Sequence, residues 1–227
     1  MGQAIALGLA RAGCDLALHY HDAREGADAT AREVQAAGRR AAILQADLRD
    51  AVAARGLADQ AATMLGGLDI LVNSAGIMVP QRIEAVTPES WDATLDVNLR
   101  AYFFVAQGAI RHLRPARGRI VNLADIAAFE PWPEYVPHCV SKAGVVMLTQ
   151  GLARALAPDI TVNAVAPGAV LLPEAWDEAT RTHFAKTTPL GRLGSPDDVV
   201  RAVRYLLEGG DYVTGTTLVV DGGRLIR

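Results

Sequence analysis

Short apolar runs alternate with longer amphipathic stretches along all 227 residues, and that alternation constrains the fold more than any other feature. The runs 15–20, 40–47, 68–76, 118–125, 160–168 and 216–223 are predicted strands. Predicted helices open the chain (MGQAIALGLARAG) and fill 24–38, 50–65, 88–113, 140–157 and 195–210. Gly38 stops one of these helices and Pro158 closes another. Pro88 and Glu89 stand in the first turn of a third; Ser195 caps the last, with Pro196 at its first position and Asp197 and Asp198 behind. Strands this uniformly apolar, each followed by a helix, predict a doubly wound α/β fold with a parallel sheet covered on both faces. No repeat, linker or low-complexity stretch divides the chain, so one domain spans 1–227.

Charge removes several function classes. A net charge of −3 and a pI near 5.9 offer no footprint for nucleic acid or an anionic membrane. Arg111, Arg114, Arg117 and Arg119 read as a solvated helix end feeding a strand. Cys14 and Cys139 lie far apart with no metal-ligand spacing, which fits reduced thiols in the cytoplasm and no bound metal. No signal peptide and no apolar run of the ~18 residues a membrane span needs are present.

In open parallel sheets, ligands lie beyond the carboxyl ends of the strands. The residues that follow the strands are His21-Asp22, Asp47-Leu48, Asn73-Ser74-Ala75-Gly76, Asp125 and Pro167-Gly168. NSAG (73–76), DVNL (96–99), GRIVNLAD (118–125), SKAG (141–144), VNAVAPG (162–168) and the closing GRLGSPDDV…VTGTTLVVDGG occur in order and spacing that resemble the short-chain dehydrogenase/reductase family, over nearly the whole chain.

The resemblance implies a Rossmann-type domain that transfers hydride between NAD(P)(H) and a small carbonyl or conjugated ring. It also implies a strand and a TGxxxGxG turn ahead of the first helix, with Gly2 as the last glycine of that turn. The sequence is expected to lack both, Met1 being an internal residue of a longer natural chain; a genuine truncation is the alternative. The absent strand would lie at the centre of the sheet.

Family members use Asn, Ser, Tyr and Lys. Here Asn98 and Lys142 are kept, His138 stands in the tyrosine position four residues before Lys142, and Asp125 stands in the serine position. Tyr135 precedes Pro137 and is poorly placed to substitute. Asp for Ser, with LHYH (18–21) and PGAVLLPEAW (167–176), resembles the bacterial pteridine-reductase-like branch, although the stacking phenylalanine of that branch is replaced by a stretch in which Met78 is nearest. A histidine reaches ~2 Å less far than a tyrosine hydroxyl, and ~1 Å of misplacement can cost ~100-fold in rate. His138 is therefore expected to carry the proton with weak or altered activity; the alternative is a catalytically silent dinucleotide-binding or scaffold relative. Cys139 is read as a small buried thiol.

For the cofactor the resemblance implies Asp47 and Leu48 at the adenine, with Gly2, Asn73, Ala75 and Gly76 along the ribose and phosphates. Lys142 would meet the nicotinamide ribose, and Pro167, Gly168 and Val170 the nicotinamide. His21 and Arg24 around Asp22 set the choice, NADP(H) being preferred over NAD(H). Residues 171–194 correspond to the substrate lid; Trp132, Trp176 and Phe184 supply an apolar pocket. A homodimer or homotetramer built on 99–113 and 140–157 is expected.

Overall fold

The computed structural model describes residues 1–172 and 177–226. Six parallel strands and eight helices alternate: α1 (Gly2–Arg11), β1 (Leu16–Tyr20), α2 (Arg24–Ala36), β2 (Ala41–Gln45), α3 (Ala51–Leu65), β3 (Ile70–Asn73), α4 (Pro88–Leu95), α5 (Ala101–Leu113), β4 (Arg119–Leu123), α6 (Val136–Leu156), β5 (Thr161–Pro167), α7 (Glu178–Thr187), α8 (Pro196–Glu208) and β6 (Thr217–Val220). Every predicted strand is present, one to five residues shorter than its apolar run. The predicted helix 140–157 begins earlier, at Val136, because Pro137 is tolerated in a first helical turn. That extension places His138 on the helix.

The stretch 88–113, predicted to hold one or two helices, is two helices joined by a π turn at Asp96–Arg100. Thr87 and Ser90 form a capping box at its start. A π turn inserts one residue into the helical ladder and re-aims a side chain, and such bulges gather at functional sites. Here the residue turned inward is Asn98, which is fully buried.

Covered faces explain the apolar strands. On one face α1 and α8 press Ile5, Leu9, Val199, Val203 and Leu206 against Val121, Leu123 and Val165. On the other, α5 and α6 press Ala106, Leu113, Leu152 and Leu156 against Ile120 and Val162. Adjacent residues of β4 thus serve opposite cores, as a pleated strand requires.

The sheet is in two parts. β1 pairs only with β2, and β3, β4, β5 and β6 pair in that order, so among the described residues no ladder joins β1 to β3. Between these two edges runs a cavity of about 1140 Å³ lined by Leu16, Leu18, Ile70 and Val72, with Ile5 above and Val105 below. An interior backbone group left without a partner costs about 1–3 kcal/mol, so two facing parallel edges are a liability for a sheet. No helix among the described residues is long and apolar enough to cross a membrane.

Candidate active site

The residues that follow β3 and β4 meet the π turn and the first two turns of α6. Asn98 is the hub. Its Oδ1 accepts from the Ile77 N–H at 2.8 Å, while its Nδ2 donates to the Ile77 carbonyl at 2.9 Å and to Ser141 Oγ at 3.0 Å. The π turn therefore clamps the loop after β3 to α6.

His138 is 5% exposed. Its Nδ1 lies 3.3 Å from the Ile77 carbonyl oxygen and 3.4 Å from Asn98 Nδ2. Its Nε2 is buried without a hydrogen-bond partner and stands 3.8 Å from Asp125 Oδ2. Asp125 caps a short 3₁₀ turn, its Oδ1 accepting from Ala127 N–H at 2.9 Å, which leaves Oδ2 turned to the histidine.

One helical turn beyond His138, buried Lys142 donates from Nζ to the Leu123 carbonyl at 2.7 Å. Burial lowers its pKa to about 8, with the Asp125 charge opposing the shift. Its ammonium also lies 5.6 Å from the ring centre of Tyr102, whose hydroxyl donates to Ala75 O at 2.8 Å. Burial pushes the Tyr102 phenol well above the usual tyrosine range. Gly76 sits against both Asn98 Oδ1 and Lys142 Nζ. Asn98, Asp125, His138 and Lys142 are thus brought together.

The residues expected around a cofactor are spread along the same edge. Asn73 Nδ2 donates to Asn122 Oδ1 at 2.9 Å, and Asn122 Nδ2 to Thr149 Oγ1 at 3.0 Å, tying β3, β4 and α6 through a buried polar chain. Leu48 is a core side chain packed with Leu44, Ala54 and Leu57, which leaves its backbone to meet a ligand. Asp47 is held to about pKa 2 by Arg49, which donates to it from Nε, Nη2 and the backbone N–H. His21 Nδ1 lies 2.8 Å from Asp22 and its Nε2 3.8 Å from Asp47. Arg24 turns along its own helix to Asp28 and to the Tyr20 hydroxyl. Pro167 ends β5, and Gly168 follows where an added Cβ would come 2.7 Å from Asp221 Cβ, so no larger residue fits. Val170 packs on the α1/α8 core and against Gly194.

Gly2 opens α1, whose first N–H groups have no side-chain cap, and Ser74 Oγ beside it is buried without a partner. On the substrate side the Trp132 indole lies within 10° of parallel to the His138 ring, centroids 6.4 Å apart, and Met78 is 44% exposed. Trp176 lies outside the described residues. Phe184, on α7, faces the Arg224 guanidinium at 4.2 Å. Cys139 Sγ accepts from the Trp132 N–H at 3.4 Å and anchors that loop.

Four participants escaped the reading of the sequence: Ser141, Tyr102, Arg49 and the Ile77 backbone. Ser141 and Tyr102 follow His138 and Asn98 by three and four residues, so helical spacing could have found them. The Ile77 backbone carries no side-chain signal at all.

A family model described as enoyl-(acyl carrier protein) reductase matches residues 1–224. The 3β-hydroxysteroid dehydrogenase 1 of Eggerthella lenta is 38% identical over 231 residues, covering 98% of this chain and 88% of that protein. A 3-oxoacyl-[acyl-carrier-protein] reductase of Staphylococcus aureus is 34% identical over 228 residues, covering 98% and 93%. A short-chain dehydrogenase/reductase of Serratia marcescens superposes with a TM-score of 0.91 at 34% identity, covering 98% of this chain and 92% of that one. A blue fluorescent protein from a metagenomic library, solved in complex with NADPH, gives 0.90 at 34% identity, covering 97% and 92%. With the family model spanning all but its last three residues, the chain belongs to the short-chain dehydrogenase/reductase family and is an NAD(P)-dependent oxidoreductase.

Proposed function

We propose that the chain transfers hydride between a nicotinamide cofactor and a small carbonyl or its alcohol, with His138 as the proton carrier in the place the family gives to tyrosine. The single observation that carries this reading is the buried, unpartnered Nε2 of His138, opposite Asp125 and one turn before Lys142. Histidine is the commonest general acid/base, and an orphaned buried ring nitrogen is a group awaiting a ligand. Asn98 holds the His138 ring and the loop after β3; Asp125 stabilises positive charge on that ring; Lys142 binds the cofactor ribose.

The residues fit the cofactor. Uncapped N–H groups at Gly2 and the orphaned Ser74 hydroxyl suit a pyrophosphate, since a helix N-terminus favours anions. Asn73, Ala75 and Gly76 follow with Lys142 along the ribose, and Pro167, Gly168 and Val170 would hold the nicotinamide. When bound, that group supplies or accepts the hydride. NADP(H) is the preferred form, with His21 and Arg24 near the ribose and Asp22 opposing them; Asp47 and the Leu48 backbone frame the adenine.

The named activities of the relatives, on a hydroxysteroid and a 3-oxoacyl chain, support a carbonyl or alcohol substrate. Asp125 in the serine position keeps a pteridine-like ring as a second reading. Trp132 and Met78 flank the substrate, and 171–194, with α7, acts as the lid. The slot between β1 and β3 is the seat of a further strand, because neither edge that faces it is paired and its walls are apolar. Exposed Phe103, Val140 and Met147 on α5 and α6 support a homodimer or homotetramer through those helices. Two free cysteines suit a cytoplasmic setting.

The test is a fluorescence titration with NADPH and NADH, followed by turnover of the wild type and His138→Tyr. Binding with turnover that depends on His138 is expected. Binding in which only the tyrosine variant turns over would replace this reading with that of a silent relative.

A further inference from the structure

The hydrogen-bond geometry around His138 assigns a tautomer, and the tautomer assigns a direction. A carboxamide nitrogen has two hydrogens. Both on Asn98 are committed, one to the Ile77 carbonyl at 2.9 Å and one to Ser141 Oγ at 3.0 Å. The opposite amide orientation is excluded, because Oδ1 accepts the Ile77 N–H at 2.8 Å and a flip would set two donors face to face. Ser141 cannot supply a hydrogen either, since its hydroxyl donates to the His138 carbonyl at 2.7 Å. His138 Nδ1 therefore receives no hydrogen bond, and its one remaining polar neighbour is the Ile77 carbonyl oxygen at 3.3 Å. Nδ1 carries the hydrogen and donates it there.

The neutral ring then presents a bare lone pair at Nε2. That atom is buried, has no partner, and has an acceptor, Asp125 Oδ2, 3.8 Å away. A lone pair beside a carboxylate is complementary to an O–H donor, and it repels a ketone oxygen.

We infer that the neutral ring of this site is built to take a proton from an alcohol rather than give one to a carbonyl, so that the protein works as an alcohol dehydrogenase; the inference rests on the oxidoreductase reading above. In the step the substrate O–H bond breaks and its proton passes to Nε2. The carbinol C–H bond breaks as the carbon–oxygen single bond becomes a carbonyl, and an oxidised nicotinamide, when bound, would accept the hydride. The alcohol is oxidised, the cofactor is reduced, and the imidazolium left behind faces the Asp125 carboxylate, which stabilises charge as it forms. Asp125, 3.8 Å from the ring and 24% exposed in its side chain, is in contact with solvent for the release of that proton. The charged groups around the ring are Asp125, from the turn after β4, and Lys142, from α6; Asn98, Ser141 and the Ile77 backbone bring neutral groups from α4–α5, α6 and the loop after β3.

Ser141→Ala isolates the argument. It frees one Asn98 hydrogen to turn to Nδ1, 3.4 Å away, and so favours the other tautomer, with hydrogen on Nε2. The experiment is the ¹⁵N spectrum of the histidine rings at pH 7.5 in the full chain, together with initial rates for a panel of alcohols and their ketones from pH 6 to 8.5. Expected are a hydrogen on Nδ1 and a bare Nε2, oxidation outpacing reduction at least ~10-fold at pH 8, and a tautomer shift with a ~10-fold loss of oxidation in Ser141→Ala. A hydrogen on Nε2 in the wild type, or equal rates in both directions at pH 8, overturns the inference. If NADP⁺ and NAD⁺ fail to bind, the oxidoreductase reading falls, and the ring spectrum still decides the tautomer.

Discussion

His138 Nε2 stands 3.8 Å from Asp125 Oδ2, beyond a hydrogen bond yet well within the range of a charge. At an effective dielectric of ~20, two unit charges at such a distance interact by about 4 kcal/mol. The part of Asp125 that is in water reduces that figure. The carboxylate therefore acts on the ring through its charge and not through a hydrogen bond.

Removing that charge has a defined sign. In Asp125→Asn the imidazolium formed as the alcohol loses its proton has no counter-charge, so turnover in alcohol oxidation falls about 10-fold as the developing charge loses its stabiliser. Initial rates of both proteins at one pH measure it. An unchanged rate would remove Asp125 from the mechanism.

Lys142 links the site to stability. Burial lowers its pKa in the folded chain to about 8. Between pH ~8 and ~10 the unfolded chain thus binds more protons at this position than the folded one, and the contribution of Lys142 to stability rises with pH through that window. Below it the full burial penalty applies. Lys142→Met is expected to be more stable than the wild type at pH 7, with the gap narrowing by about 1–3 kcal/mol toward pH 10. Urea denaturation of both proteins at the two pH values measures it; a constant gap contradicts the buried ammonium.

Cofactor choice turns on one exposed carboxylate. Asp22 is 85% exposed in its side chain, whereas Arg49 is neutralised on Asp47 and Arg24 on Asp28. Asp22→Asn is expected to tighten NADPH about 3- to 10-fold by removing repulsion from the 2′-phosphate, and to leave NADH nearly unchanged. Paired titrations settle the matter; equal shifts for both cofactors would place Asp22 away from the ribose.

The slot between β1 and β3 predicts a gain of function. A chain extended ahead of Met1 by an apolar strand and a glycine-rich turn should fill the 1140 Å³ cavity and pair both open edges. The expected result is a higher Tm and NADPH binding at least ~100-fold tighter than in the chain that starts at Met1, or about 3 kcal/mol. Equal binding by both chains would mean that β1 and β3 close on each other unaided.

Much of the frame was legible in the residues themselves. Continuous apolar runs such as Ile120–Leu123 had to be strands covered on both faces, and Pro88, Ser195 and Pro196 marked helix starts by chemistry that acts within one turn. The resemblance to the short-chain dehydrogenase/reductase family marked Asn98, Asp125, His138 and Lys142, and the order of strands and helices placed the candidate site at the ends of the strands. What the sequence alone could not decide depends on neighbours distant in the chain. The π turn that aims Asn98 inward is set by its closure on the Ile77 backbone, 21 residues away. Arg24 pairs with Asp28 along its own helix, and the Leu48 side chain packs in the core. The tautomer of His138 depends on where two Asn98 hydrogens go, and those destinations exist only once β3, the π turn and α6 have packed together. Periodicity and caps are local and written in the sequence; hydrogen-bond partners across the chain are a property of the folded arrangement.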